Sequence, residues 1–345
     1  MEALEEVRTN VYILTEGGAN VGFGHIARCY ALSQAFQQQG AKAKLVVNGD
    51  DSLRKLINED EYICYDWLND TKGLLANLDA EEAIFILDSY KVDKAGLDQL
   101  AANCPNIAYL DDHGRTDYPK GLILVPINFM HYLDLPYDED RDMLIGQKYI
   151  LIRKPFWSAT SSVEITEEIK EVMIMMGGMD LKNLSGLALK TISEQFPKAT
   201  IHLIYNKDKW HIAEWKQRLG DRLKILSGLN ANEMCELMCK MDLALITAGQ
   251  AAYELFCLGI PTIQVSVAEN QIWALHAIKE EGYTEHIIDS NGPDYEAYLV
   301  LAVKQVRSME ERKKMRKIGR QIVDGQGSMR LAEDIMLYFN RTDHE

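Results

Sequence analysis

Apolar residues in this chain come in short, nearly continuous runs, separated by stretches where they recur every three or four positions. Residues 11–15 (VYILT), 44–47, 83–87 (AIFIL), 107–110 and 122–125 read as buried strands, with helical periodicity over 26–39 and 92–103. Continuous apolar runs alternating with helices mark a parallel sheet, because the helices that return the chain cover each strand on both faces. The pattern then restarts. Residues 171–176 (EVMIMM), 200–204, 223–225, 243–246 and 262–265 read as strands, and 183–195, 208–218, 231–241, 251–258 and 271–281 as helices. Between the two sets, residues 153–170 (RKPFWSATSSVEITEEIK) hold a proline, a Ser/Thr cluster and no core periodicity, which predicts a linker. The expected fold is α/β, with two doubly wound, Rossmann-like domains over 1–155 and 156–345 and no internal repeat. Residues 298–341 look helical, and Gly325 and Gly327 set off a last segment, 328–340, that can cross back to the first domain.

The length of 345 residues suits about two domains. Charge narrows the partners. With 37 Lys and Arg against 52 Asp and Glu, the net charge is −15. Non-specific nucleic-acid binding and docking on an anionic membrane both draw on basic surface, so neither is expected. A small anionic ligand stays open, because helix N-termini and glycine loops bind phosphate locally whatever the global charge. Six cysteines are scattered without a CxxC pair, so no zinc ribbon is written here. Cys235 and Cys239 lie one helical turn apart but have no second pair nearby, and free thiols in a reducing cytoplasm are the simplest reading. The opening MEALEEVRTN is acidic and lacks an apolar segment, and no run reaches the roughly 18 apolar residues of a membrane span. A cytoplasmic protein without membrane insertion is expected.

In doubly wound sheets, ligands bind outside the carboxyl ends of the strands, so chemistry belongs just after strands. The first strand is followed by Gly17-Gly18-Ala19-Asn20-Val21-Gly22-Phe23-Gly24-His25, a glycine-rich turn opening into a helix. Such a turn brings backbone N–H groups close to an anion. His25 stands at the helix start, where the macrodipole disfavours imidazolium, and a neutral imidazole there is suited to be a general base. The bland reading is a structural turn with a capping histidine. The spacing is not GxGxxG and no acidic residue closes the second strand, which disfavours a dinucleotide. A second turn, Thr247-Ala248-Gly249-Gln250, opens a helix carrying Glu254. Its backbone can cradle a diphosphate and Glu254 can accept from ribose hydroxyls, or Glu254 is a solvated helix residue. Glu269-Asn270-Gln271 opens a further helix and suits either sugar–phosphate contacts or an N-cap. Gly177-Gly178-Met179-Asp180 is a third turn after a strand.

Asp88-Ser89-Tyr90 and Asp111-Asp112-His113-Gly114-Arg115 each follow a strand of the first half. Any of these aspartates can bind a sugar hydroxyl or tune His25. Asp111, Asp112 and His113 also invite a metal, although acidic loops more commonly cap helices or face water. His113, His131, His202, His211, His276, His286 and His344 have no motif around them and read as surface or satisfied core residues. Neither GxSxG nor GxxxxGK[ST] occurs, so serine-hydrolase and P-loop readings fail.

In order, G-x-G-H-x-x-R, D-S-Y, D-D-x-x-R, G-G-x-D, A-G-x-x-x-x-E with L-G-I-P, and A-E-N-Q resemble the UDP-sugar hydrolase family of pseudaminic acid biosynthesis and its spore-coat polysaccharide relatives. The resemblance covers about residues 10–290 and is most specific over GFGHIAR and AGQAAYELFCLGIPTIQVSVAENQ. It implies a GT-B fold, two Rossmann-like domains facing across a cleft. The implied reaction is hydrolysis of a UDP-linked 2,4-diacetamido-2,4,6-trideoxy-L-altrose, without metal or other cofactor. By the same resemblance His25 is the base for water and Tyr90 holds the sugar near it. Gly22 and Gly24 shape the loop, Gly249 and Gln250 face the diphosphate, and Glu254 holds the ribose. Glu269, Asn270 and Gln271 line the sugar–diphosphate end, with Arg28, Asp88 and Gly178 also on the substrate. A small-molecule UDP-sugar is the expected partner, and the expected state is a monomer or weak dimer. Gln250 stands where the family often has a small hydroxyl residue, and Met179 where serine is common. Two rivals share these features: a GT-B glycosyltransferase passing the sugar to an acceptor, and a non-catalytic nucleotide-sugar binder. No apolar and basic patch for a membrane acceptor is written in the first half, and a binder has no need of His25.

Overall fold

The computed structural model describes residues 9–18, 22–55, 57–80, 82–137, 140–159, 161, 163–177, 180, 182–205 and 210–342. The chain forms two compact units. One runs to Lys154 and is rejoined by the residues from Gln326 onward; the other is Pro155–Gly325.

The first unit is a sheet of seven parallel strands: β1 (Asn10–Glu16), β2 (Lys42–Asn48), β3 (Tyr62–Cys64), β4 (Ile84–Asp88), β5 (Ile107–Leu110), β6 (Leu122–Val125) and β7 (Met143–Ile145). Their order is β3-β2-β1-β4-β5-β6-β7. Every residue of β4, β5 and β6 is buried, which is why they read as unbroken apolar runs. Helices α1 (Gly24–Gln38), α2 (Thr71–Ala76) and α3 (Lys94–Asn103) follow β1, β3 and β4. The strand order reverses between β1 and β4, the place where such sheets leave room for ligands. Thr15 of β1 pairs in register with Asp88 of β4, so Glu16 and Asp88 end side by side at that point.

The second unit repeats the plan with six parallel strands: β8 (Glu171–Met175), β9 (Thr200–Ile204), β10 (Leu223–Leu226), β11 (Leu243–Thr247), β12 (Thr262–Ser266) and β13 (Ile288–Asp289). Their order is β10-β9-β8-β11-β12-β13, with the reversal between β8 and β11. Helices are α4 (Leu184–Gln195), α5 (Trp210–Leu219), α6 (Ala231–Met238), α7 (Gln250–Leu258), α8 (Ile272–Glu280), α9 (Tyr295–Gln305) and α10 (Met309–Ile322). Three arginines one turn apart on α10 close carbonyls in this unit. Arg312 donates to the Thr166 and Glu167 carbonyls, Arg316 to Gly259 and Arg320 to Leu258. The last two complement the carbonyl end of α7, where unpaired acceptors and the dipole both favour cations.

Helix α11 (Gly327–Thr342) returns to the first unit. It packs on α1, and Gln39 donates to the Met329 carbonyl at 2.7 Å. The buried Ser328 hydroxyl accepts from Ile152 N–H at 3.2 Å and donates to Ile152 C=O at 3.1 Å.

Residues 153–170 are not a free connector. The changeover falls at Lys154/Pro155, and the remainder is tied into the second unit. Phe156 is fully buried, Ser161 donates to the Cys239 carbonyl at 2.9 Å, and Lys170 N–H donates to Asp242 at 2.8 Å. The polar, aperiodic sequence reflects irregular backbone whose hydrogen bonds are met by this unit. All six cysteines are free thiols. No helix among the described residues is long and apolar enough to cross a membrane.

Candidate active site

Three segments meet at the switch point of the first unit: the start of α1, the end of β4, and the loop after β5. Gly18 and Gly22 close the glycine turn through two backbone hydrogen bonds, 3.1 and 2.9 Å, with Gly22 at φ +100°, a conformation that favours glycine. Ala19, Asn20 and Val21 lie outside the described residues. Helix α1 then begins at Gly24 with no side-chain cap and no acidic residue in its first turn. By contrast α2, α3, α6 and α10 are capped by Asp70, Asp93, Asn230 and Ser308. The first N–H groups of α1 are thus left to solvent or ligand.

His25, the second residue of α1, places Nδ1 2.7 Å from Asp88 Oδ1. Asp88 is fully buried and also receives both arms of the Arg28 fork, Nε at 2.7 Å and Nη2 at 2.6 Å. Cys29 adds its thiol at 3.1 Å. Burial works to raise the Asp88 carboxyl, but Arg28 and His25 outweigh it and hold it at about 2. An ionised carboxylate only accepts, so the hydrogen-bond network assigns the imidazole proton to Nδ1 and leaves Nε2 with its lone pair. The helix dipole of the sequence argument is therefore only part of the surroundings of His25, which has an anionic partner from another strand.

Arg28 spends its remaining arm on Asp112, with Nη1 2.5 Å from Oδ2. Burial works against its charge, yet Asp112 and Asp88 together raise it well above the ordinary arginine value. Its charged end is committed to two carboxylates of the protein. Asp112 is also nearly buried, which favours its neutral form, but Arg28 and His113 hold it well below the usual carboxylate range. Its other oxygen accepts from the Tyr90 hydroxyl at 2.5 Å and pairs with His113 Nδ1 at 2.6 Å. The bond to Asp112 raises the His113 imidazole, against the effect of burial. Tyr90 is exposed, and Glu16 holds its backbone N–H at 2.9 Å. Its ring meets His25 edge to face.

The neighbouring Asp111 shapes the loop. One oxygen accepts from the N–H groups of His113, Gly114 and Arg115, and the other from the Tyr137 hydroxyl at 2.6 Å. Both aspartates thus serve protein donors, and no group of three or more His, Cys, Asp or Glu among the described residues is arranged to hold a metal ion. The sequence offers His113 only as a metal partner of Asp111 and Asp112 or as a surface or satisfied core residue, not as part of the His25 cluster. Its position directly after Asp111-Asp112 at a strand end was the available signal. Glu16 and Tyr137 were also passed over.

In the second unit, Gly249 precedes α7 at φ +153°, ψ −165°, and nothing lies within 4 Å of the place its Cβ would occupy. Helix α7 starts at Gln250 without a side-chain cap. Glu254, one turn in, is fully buried rather than solvated. Glu269 and Asn270 are exposed in a short 3-10 turn before α8, while Gln271 accepts from Val267 N–H at 2.8 Å. Asp180 caps α4, accepting from Leu184 and Ser185 N–H at 2.8 and 3.3 Å. Gly178 and Met179 lie outside the described residues.

Two parallel, doubly wound units in one chain match the GT-B fold of α/β proteins, and solved structures share that fold. The Staphylococcus aureus MnaA–UDP co-structure matches at a TM-score of 0.65 and 15% identity, covering 95% of this chain and 97% of that one. A glycosyltransferase from Rickettsia africae matches at a TM-score of 0.62 and 13% identity, covering 96% and 98%. Among curated sequences, the spore coat polysaccharide biosynthesis protein SpsG of Bacillus subtilis is 23% identical over 54% of this chain and 56% of its own length. A Helicobacter pylori protein is 24% identical over 77% of this chain and 46% of its own. Its name is pseudaminic acid cytidylyltransferase and UDP-2,4-diacetamido-2,4,6-trideoxy-beta-L-altropyranose hydrolase. This chain spans about half the length of the curated relatives it matches. No protein-family model matches it.

Proposed function

We propose that this protein hydrolyses a UDP-linked 2,4-diacetamido-2,4,6-trideoxyhexose to the free sugar and UDP, in the synthesis of a nonulosonic acid or a surface polysaccharide. The carrying observation is the His25–Asp88 pair at the switch point: a buried carboxylate fixes Nδ1–H and leaves Nε2 as the basic atom. The name of the H. pylori relative supplies the substrate class, and that of the B. subtilis relative the polysaccharide setting.

In this reading His25 Nε2 takes a proton from water as the water oxygen bonds to the anomeric carbon. The bond from that carbon to the diphosphate oxygen breaks, and UDP leaves with the electron pair. A diphosphate needs no proton to depart, so one base and correct placement suffice. Asp88 keeps the imidazole in the useful tautomer and stabilises the imidazolium that forms, the role a buried aspartate has in hydrolytic triads. Tyr90 offers an exposed ring beside His25 for the sugar. The uncapped starts of α1 and α7 suit anions, and Gly249, Gln250 and Glu254 are assigned to the UDP part.

The test is UDP release from UDP-2,4-diacetamido-2,4,6-trideoxy-β-L-altropyranose, with neither metal nor acceptor added, beside the His25→Ala variant. Fast release by the wild type, lost in a variant that still binds UDP, supports the proposal. Release only when a sugar or lipid acceptor is supplied makes the protein a transferase instead.

A further inference from the structure

The His25–Asp88 pair has a counterpart. His113 and Asp112 form a second imidazole–carboxylate pair, 2.6 Å from Nδ1 to Oδ1. The two pairs share one cation, because Arg28 gives Nε and Nη2 to Asp88 and Nη1 to Asp112. They also share one ring. The Tyr90 hydroxyl donates to Asp112 while its ring edge stands against His25. Starting at His25 and passing through Asp88, Arg28, Asp112 and Tyr90, the contacts return to His25 as a closed circuit.

We infer that Asp112, held by His113, is a positioning residue that sets the orientation and protonation of His25 from the far side of the Arg28 guanidinium. The charges make this necessary. Arg28 divides one positive charge between two nearly buried carboxylates. Neutralising Asp112 leaves the whole cation to Asp88, and a second positive charge on His25 becomes less favourable. The charged and titratable groups facing His113 are Asp111 and Asp112 from its own loop, Arg28 from α1 and Tyr90 from the loop after β4. Nε2 of His113 is buried with no hydrogen-bond partner, so the ring acts on the site through Nδ1. This role rests on His25 being the base of the proposed reaction.

The test is the titration of the His25 imidazole by NMR in the full chain, assigned with His25→Gln, in two single variants. Asp112→Asn removes a negative charge and moves the His25 midpoint down by about half a pH unit. His113→Gln removes a positive charge at pH values where His113 is protonated and moves the midpoint up. Opposite shifts from neighbouring residues have no origin in a merely structural role. In kinetics, Asp112→Asn lowers kcat about tenfold with KM little changed, and Tyr90→Phe added to it costs less than Tyr90→Phe alone, since the two act along one path. An unmoved His25 midpoint in a folded Asp112→Asn protein overturns the inference. Should Asp112→Asn fail to fold, an unmoved midpoint in His113→Gln does the same. Shifted midpoints in a protein that turns over no UDP-sugar leave this coupling standing and remove only the assigned reaction.

Discussion

Tyr90 and His25 meet edge to face, ring centroids 4.4 Å apart and planes at 89°, and each is tied to a different carboxylate of the pair that shares Arg28. The exposed Tyr90 ring and the His25 imidazole are therefore not placed independently. A change at either carboxylate reaches both.

Replacing Asp88 by asparagine leaves shape intact but allows the new amide to donate to Nδ1, which reverses the tautomer of His25. The expected loss in kcat is about 10²–10⁴-fold. Steady-state UDP release measures it, with far-UV circular dichroism checking that the fold survives. Near-normal turnover would show that another group orients the base.

Arg28→Met leaves Asp88 and Asp112 buried without the guanidinium they share. Removing one partner of a buried ion pair costs about 3–5 kcal/mol. Denaturant unfolding should record a loss of that size, and Arg28→Lys should restore only part of it, because an ammonium cannot present a planar fork to one carboxylate while reaching a second.

Acid should unlock the same cluster. The Asp88 carboxyl, held at about 2, lies below its unfolded value of about 3.9. Its contribution to stability is whole above about pH 4 and is lost as pH falls towards about 2. Unfolding free energy measured across that window should fall less steeply in Asp88→Asn than in the wild type. His113 has the opposite sign. Its raised imidazole contributes fully below about pH 6.5 and loses that contribution as pH climbs through the higher folded value, a loss that His113→Gln abolishes.

Gly249 holds a backbone conformation close to glycine-only, with open space where a Cβ would go. The cost of Gly249→Ala is therefore backbone strain rather than a clash, about 1–3 kcal/mol. The variant should bind UDP more weakly by calorimetry while the first unit keeps its stability. Unchanged UDP affinity would separate the start of α7 from the nucleotide.

A methyl group at Gly327 would fall on the backbone of Ile150, within 2.9 Å of its N and C atoms. Gly327→Ala should pull α11 off the first unit and break the Ser328–Ile152 bonds, lowering the melting temperature. Amide exchange at Ile152 should rise with it; protection at the wild-type level would mean the backbones can part without loss.

The sequence displayed most of the sheet order-makers. Strands β1, β4, β5 and β6 are buried along most or all of their length, and two-sided burial writes a continuous apolar run. The edge strands β3, β7 and β13 left no such run, being two or three residues long with half-exposed or mixed faces. At the site, His25, Asp88 and Tyr90 are legible because each lies at the carboxyl end of a strand or in the turn or helix start that follows it. The partnership of Arg28 with Asp112 spans 84 positions, and no spacing rule reports a pairing at that distance. In the sequence Asp112 is one of three aspartates that can bind a sugar hydroxyl or tune His25, or a metal contact beside Asp111 and His113, and only the folded chain gives it one guanidinium, one phenol and one imidazole as partners.

The return of α11 sets an order of assembly during synthesis. His25 and Arg28 are made early, on a helix that packs against α11, yet α11 leaves the ribosome only after the whole of the second unit. Until then α1, with His25 and Arg28 on it, has one face uncovered. A nascent or truncated chain that stops before Gly327 can hold every residue of the His25 cluster and still lack the helix that backs it, so the first unit to be started is the last to be finished.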